Sequence, residues 1–97
     1  MTELLQVDPA TLYLPGSRRD GADPHKLWRQ LSKHGASLTG MPPIEAKRSA
    51  DGKLIIYDGV TRATRAAKYA PGSLVPVLVT GQLKAGVGDL PTVGEKI

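Results

Sequence analysis

Cysteine and phenylalanine are absent from this 97-residue chain, and its aromatics amount to one tryptophan and three tyrosines. Without cysteine there is no disulfide, no thiolate nucleophile and no cysteine-based zinc site. Without phenylalanine the core must be built from aliphatic side chains, and at this length it supports one domain with a modest interior. No apolar run approaches membrane-spanning length, and the opening MTELLQVDPA has neither the basic nor the apolar region of a signal peptide. The sequence is therefore expected to be soluble and cytoplasmic, the alternative being a fragment of a secreted toxin. Acidic residues are in the minority, 9 against 13 Lys and Arg, giving a net charge of +4. That balance favours anionic partners, although it is also ordinary for the solubility of a small domain.

What is present reads as alternating strands and helices. Leu4, Leu5 and Val7 predict a short strand, with a turn at Asp8-Pro9. PGSRRDGAD, residues 15–23, is a loop by composition. Asp23 then reads as an N-cap with Pro24 in the first helical position. Leu27, Trp28, Leu31 and His34 mark the apolar face of the helix that follows, and Gly35 ends it. Trp28 is expected in the core, anchoring helix to sheet. IEAKRSA and KLIIYD predict two strands joined by a tight turn at Asp51-Gly52, the second buried on both faces. TRATRAAKYA predicts an alanine-rich helix stopped by Pro71-Gly72. LVPVLVT, residues 74–80, predicts a strand that Pro76 assigns to an edge or to a first pairing position. The fold class expected is α+β: a small mixed β-sheet with two main helices. Residues 1–80 form the domain, and 81–97, rich in glycine, form a flexible or partner-ordered C-terminal tail.

Chemistry concentrates in DGVTRATRAAK, residues 58–68. A helix starting near Val60 leaves its first amides without intrahelical partners and its dipole favours an anion there. Gly59 allows close approach to the backbone. Thr61 offers a hydroxyl and Arg62 a guanidinium matched to phosphate oxygens. Asp58, at the carboxyl end of its strand, can act as general base or hold a divalent ion beside a phosphate. Arg62, Arg65 and Lys68 recur every third residue as a basic stripe. A plainer reading fits the same residues: Asp58 caps the helix and the arginines are solvated.

This segment, extended to KLIIYDGVTRATRAAKYAPGSLVPVLV, resembles the signature of the ParB/sulfiredoxin-like superfamily. There a strand ends in glycine, a polar stretch carries arginine, and an alanine-rich helix follows. LLQVDPATLYLPGSRR, DPHKLWRQLSKHG and MPPIEAKRSADGKLIIYDG come upstream in the order of ParB N-terminal domains, so the similarity spans residues 4–80. It implies phosphate binding at Gly59, Thr61 and Arg62, and Asp58 as the acid of a hydrolytic or phosphotransfer site. The ligand implied is a nucleotide, ATP or CTP, with Mg2+, or a nucleic acid. Arg18, Arg19 and Arg65 would supply the electrostatic approach. The chain departs from the family by lacking cysteine, which excludes sulfiredoxin chemistry. VTR replaces the doubled arginine of partition proteins, and their Glu-Asn-x-x-Arg motif is missing, which speaks against a CTP-driven clamp. The function classes that remain are a nuclease or nucleotide-dependent phosphotransferase, a non-catalytic module for nucleic acid or an acidic protein, and a bacterial toxin tip neutralised by an immunity protein.

Other candidates are weaker. His25 and His34 lie about 180° apart around one helix and cannot share a metal. His34 suits the helix C-terminus. Glu45 suits a pairing with lysine or arginine as well as it suits catalysis. The glycines of GQLKAGVG lack the Lys-Ser/Thr of a P-loop.

Overall fold

The turn chemistry fixes the element boundaries. The computed structural model describes residues 2–97. In chain order it contains β1 (Glu3–Val7), α1 (Pro24–His34), β2 (Ile44–Arg48), β3 (Leu54–Asp58), α2 (Val60–Tyr69) and β4 (Val75–Gln82), with 3₁₀ turns at Pro9–Thr11, Gly16–Arg18 and Gly94–Lys96. At the start of α1 the Asp23 carboxylate accepts the amides of His25 and Lys26 at 2.8 and 3.4 Å. These hydrogen bonds hold its pKa below the ordinary carboxylate value. Between β2 and β3 the chain reverses at Gly52, whose φ of 81° belongs to the left-handed region. Buried Ser49 closes that hairpin, its hydroxyl accepting the Lys53 amide at 2.9 Å.

The strands form one mixed sheet in the order β1-β4-β2-β3. The outer pairs are antiparallel and the central β4–β2 pair is parallel. The α+β expectation of a small mixed sheet with two helices holds at this level. Pro76, however, lies in a central strand and not at an edge. It faces Gln6 of β1, while pairing with β2 starts one residue later at Val77, where Ile44 is the partner. The missing N–H of proline thus falls where β4 has a single neighbour.

Valines 75, 77 and 79 alternate onto the buried face of β4, as the period of a strand requires. They join Leu12, Leu14, Ile44, Ala46, Ile56 and Val93. Ala63, Ala66 and Ala67 of α2 pack into the same core, their small side chains letting the helix approach the sheet closely. In β3 only Ile55 and Ile56 are buried, whereas Tyr57 and Asp58 are exposed, so burial on both faces holds for the middle of the strand alone.

One further expectation is overturned. Trp28 is 68% exposed, not a core anchor. Helix α1 packs on α2 and buries only a narrow strip, with Leu27, Gln30 and Leu31 half-buried; one residue from Leu27 is about 100° around the helix, which carries Trp28 off that strip. Residues 81–97 make contacts of their own with the sheet and the core. Gln82 still belongs to β4, Val93 is 1% exposed, and its amide donates to the Leu12 carbonyl at 2.8 Å. The Leu14 amide donates to the Pro91 carbonyl, and Tyr13 bridges β3 on one side and Thr92 on the other. No described helix is long and apolar enough to cross a membrane.

Candidate functional site

The junction of β3 and α2 is shaped by a bulge. Glu45 of β2 lies opposite Asp58, yet Ala46 lies opposite Ile56, so Tyr57 is the extra residue of β3. A bulge re-aims the side chains beside it. Here it leaves Tyr57 67% exposed and Asp58 with 74% of its side chain in solvent. Gly59 then turns the chain with φ 112° and caps α2 without any side-chain hydrogen bond. Asp58 is therefore not the helix cap. The first helical bond runs from the Ala63 amide to the Gly59 carbonyl at 2.9 Å, so the amides of residues 60–62 precede the ladder.

Arg62 folds back across this turn. Its Nη2 donates to the Pro43 carbonyl at 3.1 Å and stands 3.9 Å from the Asp58 carboxylate, while its buried Nε has no partner. The Asp58 contact is a loose ion pair, and most of that carboxylate stays in solvent.

Asp58, Gly59, Thr61, Arg62 and Arg18 all line one open cleft of about 430 Å³. The expected phosphate-binding turn and one of the expected approach arginines are thus brought together. Lys26, Gln30 and Tyr57 line the same cleft and were not singled out in the sequence. Lys26 lies on the polar side of α1, and only the packing of α1 on α2 places it there. Tyr57 adjoins Asp58 in sequence, and its exposure follows from the bulge.

Two arginines are placed elsewhere. Arg19 pairs with Asp89 at 3.1 Å on a separate groove near the C-terminus; this contact, through its hydrogen bond first, holds the Asp89 pKa below its ordinary value. Arg65 is only 2% exposed. Its Nη1 donates to the carbonyls of Gly35 and Ser37 at 3.1 and 2.6 Å, and its Nε to Gln30 Oε1 at 3.3 Å. Burial lowers its pKa from the ordinary value. The expected basic stripe is thus broken: Arg62 is partly covered, Arg65 is internal, and Lys68 alone is exposed. The cause is α1, which covers the side of α2 that the alanines leave.

Glu45 accepts from Thr80 Oγ1 at 3.1 Å and lies 3.9 Å from Lys47, a structural pairing on the sheet. His34 is exposed at the end of α1, outside the cleft. Among the described residues no three His, Asp or Glu side chains gather as a metal site. Asp58 is the one carboxylate in the cleft, so it can give a divalent ion a single protein ligand. Mg2+ accepts that arrangement when phosphate oxygens and waters complete its shell.

No family model matches the chain, and no curated protein matches it.

Proposed function

We propose that the cleft at the start of α2 binds the phosphate of a nucleotide or a nucleic acid, in a domain of the ParB/sulfiredoxin-like kind. The observation that carries this reading is Arg62. Its guanidinium lies across Gly59 and lines one cleft with residues 59–61, Arg18 and Lys26, at a helix start whose amides 60–62 precede the ladder. Backbone donors, a helix dipole and cations converging on one concavity are complementary to a dianion. The family reading rests on the sequence motif and on the order of the segments around it in the chain.

Asp58 is the residue placed for chemistry. In hydrolysis or phosphoryl transfer its carboxylate would take the proton of the attacking water or hydroxyl, as the new oxygen–phosphorus bond forms and the leaving oxygen departs. Arg62 and the turn amides would meanwhile balance charge on the phosphoryl oxygens. Mg2+ arriving on the nucleotide would find Asp58 as its protein ligand and supply further charge neutralisation.

A second reading, a binding module without turnover, is favoured by one observation: no histidine and no other acid lines the cleft beside Asp58.

Amide NMR titration with ATP and CTP, with and without Mg2+, tests the proposal. Shifts centred on residues 59–62 that vanish in Arg62→Ala are the expected result. Unchanged nucleotide affinity in Arg62→Ala would remove the phosphate site under both readings. Asp58→Asn then separates them, since an enzyme loses turnover and keeps binding, whereas a binding module is indifferent or binds anions more tightly.

A further inference from the structure

A second groove, of about 300 Å³, opens off the first and is lined by Lys26, Arg29, Gln30, Lys33 and Thr61. It shares Lys26, Gln30 and Thr61 with the cleft at the α2 turn, so the two adjoin. Positions 26, 29, 30 and 33 recur at the spacing of one helical face, and Lys26 to Lys33 spans about 10 Å along the axis at 1.5 Å per residue. The 11 residues of α1, PHKLWRQLSKH, contain no acid to oppose these cations.

The charges along this path are also uncompensated. Among the described residues Arg18, Lys26, Arg29 and Lys33 take part in no ion pair, whereas Arg19 is held by Asp89 and Arg48 by Glu3. Asp58 is the one carboxylate in either groove. A mononucleotide seated at the turn leaves Arg29 and Lys33 unused. A row of cations leading away from a phosphate site is complementary to a row of phosphates.

An independent feature sits in the first cleft. Tyr57 is exposed in its wall, in a chain with few aromatics, and the Lys47 ammonium stands 4.7 Å from the ring centroid. An aromatic ring beside a cationic groove is how single strands are held, with the backbone on the charges and a base on the ring. Bases within a duplex are stacked on one another and do not present that face.

We propose that single-stranded nucleic acid crosses the α2 turn and follows α1, its phosphates on Arg62, Lys26, Arg29 and Lys33 and a base on Tyr57. This rests on the anion site proposed above and extends it from one phosphate to a strand.

Fluorescence anisotropy of a labelled single-stranded 12-mer over a range of salt tests it, with ATP titrations of the turn amides in parallel. About four phosphate contacts predict a log–log salt slope near −2.8, from about −0.7 per contact. The double variant Arg29→Gln/Lys33→Gln is expected to weaken the 12-mer about tenfold or more and to bring the slope to about −1.4, with ATP shifts at residues 59–62 unchanged. Tyr57→Leu is expected to weaken it about tenfold with the slope preserved, as loss of stacking does. The strand proposal is overturned if the double variant binds the 12-mer normally. Equal affinity for a 12-base-pair duplex or for poly-L-glutamate overturns it too, the latter pointing to an acidic protein. No binding of the 12-mer, with ATP shifts intact, overturns the strand and keeps the turn. Binding of the 12-mer with turn amides silent to both ligands overturns the anion site and, with it, the path across the turn.

Discussion

The guanidinium of Arg62 lies directly over the α-carbon of Gly59: a Cβ at residue 59 would stand 2.9 Å from Nη2 and 3.2 Å from Cζ. Two features of the motif therefore depend on each other. Glycine is needed for the left-handed φ of 112°, and it also leaves the space that the arginine occupies. Gly59→Ala should cost about 1–3 kcal/mol in urea denaturation, the range for a non-glycine residue forced into such a conformation. It should also displace Arg62 and weaken phosphate binding. In a double-mutant cycle with Arg62→Ala the two losses should fall short of additivity by about 0.5 kcal/mol or more. Full additivity would show that the contact is without consequence.

Arg65 predicts the opposite behaviour from its neighbour. Its guanidinium ties α2 to Gln30, Gly35 and Ser37 at the end of α1. Arg65→Met should destabilise the fold by about 2–4 kcal/mol, because a buried charge is removed from the Gln30, Gly35 and Ser37 oxygens it bonds. Arg65→Lys should recover little, since an ammonium cannot reproduce the planar fork. Neither change should alter the salt slope of nucleic-acid binding. A slope that falls in Arg65→Lys while the melting temperature holds would mean that the residue meets the ligand.

Why Arg62 was legible in the sequence and the fate of Arg65 was not is a matter of range. Asp58, Gly59, Thr61 and Arg62 fall within five consecutive residues, so local turn chemistry places them together whatever surrounds them. The same holds for the Asp23-Pro24 cap, the Gly35 stop and the Asp51-Gly52 hairpin, all of which the structure contains. Arg65 lies three residues on, and which side of α2 faces solvent depends on α1, 30 residues away at Gly35. Trp28 fails for the same reason, because α1 rests on another helix and buries less than a helix on a sheet. Pro76 sits just before the β2 pairing begins, and only the edge alternative fails, because β1, at the far end of the sequence, pairs beside it. Lys26 joins the cleft through tertiary packing alone, with no signal in its own neighbourhood.

Acid should weaken the fold through its aspartates. The amides of His25 and Lys26 lower the Asp23 pKa, the Ser49 hydroxyl foremost lowers that of Asp51, and Arg19 lowers that of Asp89. A carboxylate with a depressed folded pKa stabilises the fold above its ordinary value of 3.8, and that stability is lost as pH falls through the folded value. Thermal unfolding should therefore be insensitive to these groups at neutral pH, with the melting temperature falling below about pH 4. Asn also caps helices, so Asp23→Asn should retain the fold at pH 7 and flatten part of the acid decline. An unchanged acid limb in Asp23→Asn would assign the decline to other carboxylates.

The C-terminal segment gives the sharpest test of how the domain is bounded. Val93 is buried against Leu12 and the rest of the core, and residues 91–93 exchange backbone hydrogen bonds with Leu12 and Leu14. Ending the chain after Gln82 keeps β4 complete yet uncovers those two leucines and leaves the Leu12 carbonyl and the Leu14 amide without their partners. Val93→Ala alone should cost about 1–3 kcal/mol from lost burial and the cavity left behind. Against a total stability of about 5–15 kcal/mol for a small domain, the truncation should abolish a cooperative unfolding transition in urea. A freely moving tail would make both changes neutral. The contrast between the two variants is informative as well: loss on truncation with tolerance of Val93→Ala would assign the docking to the backbone pairing with Tyr13, Leu12 and Leu14 and not to the valine side chain.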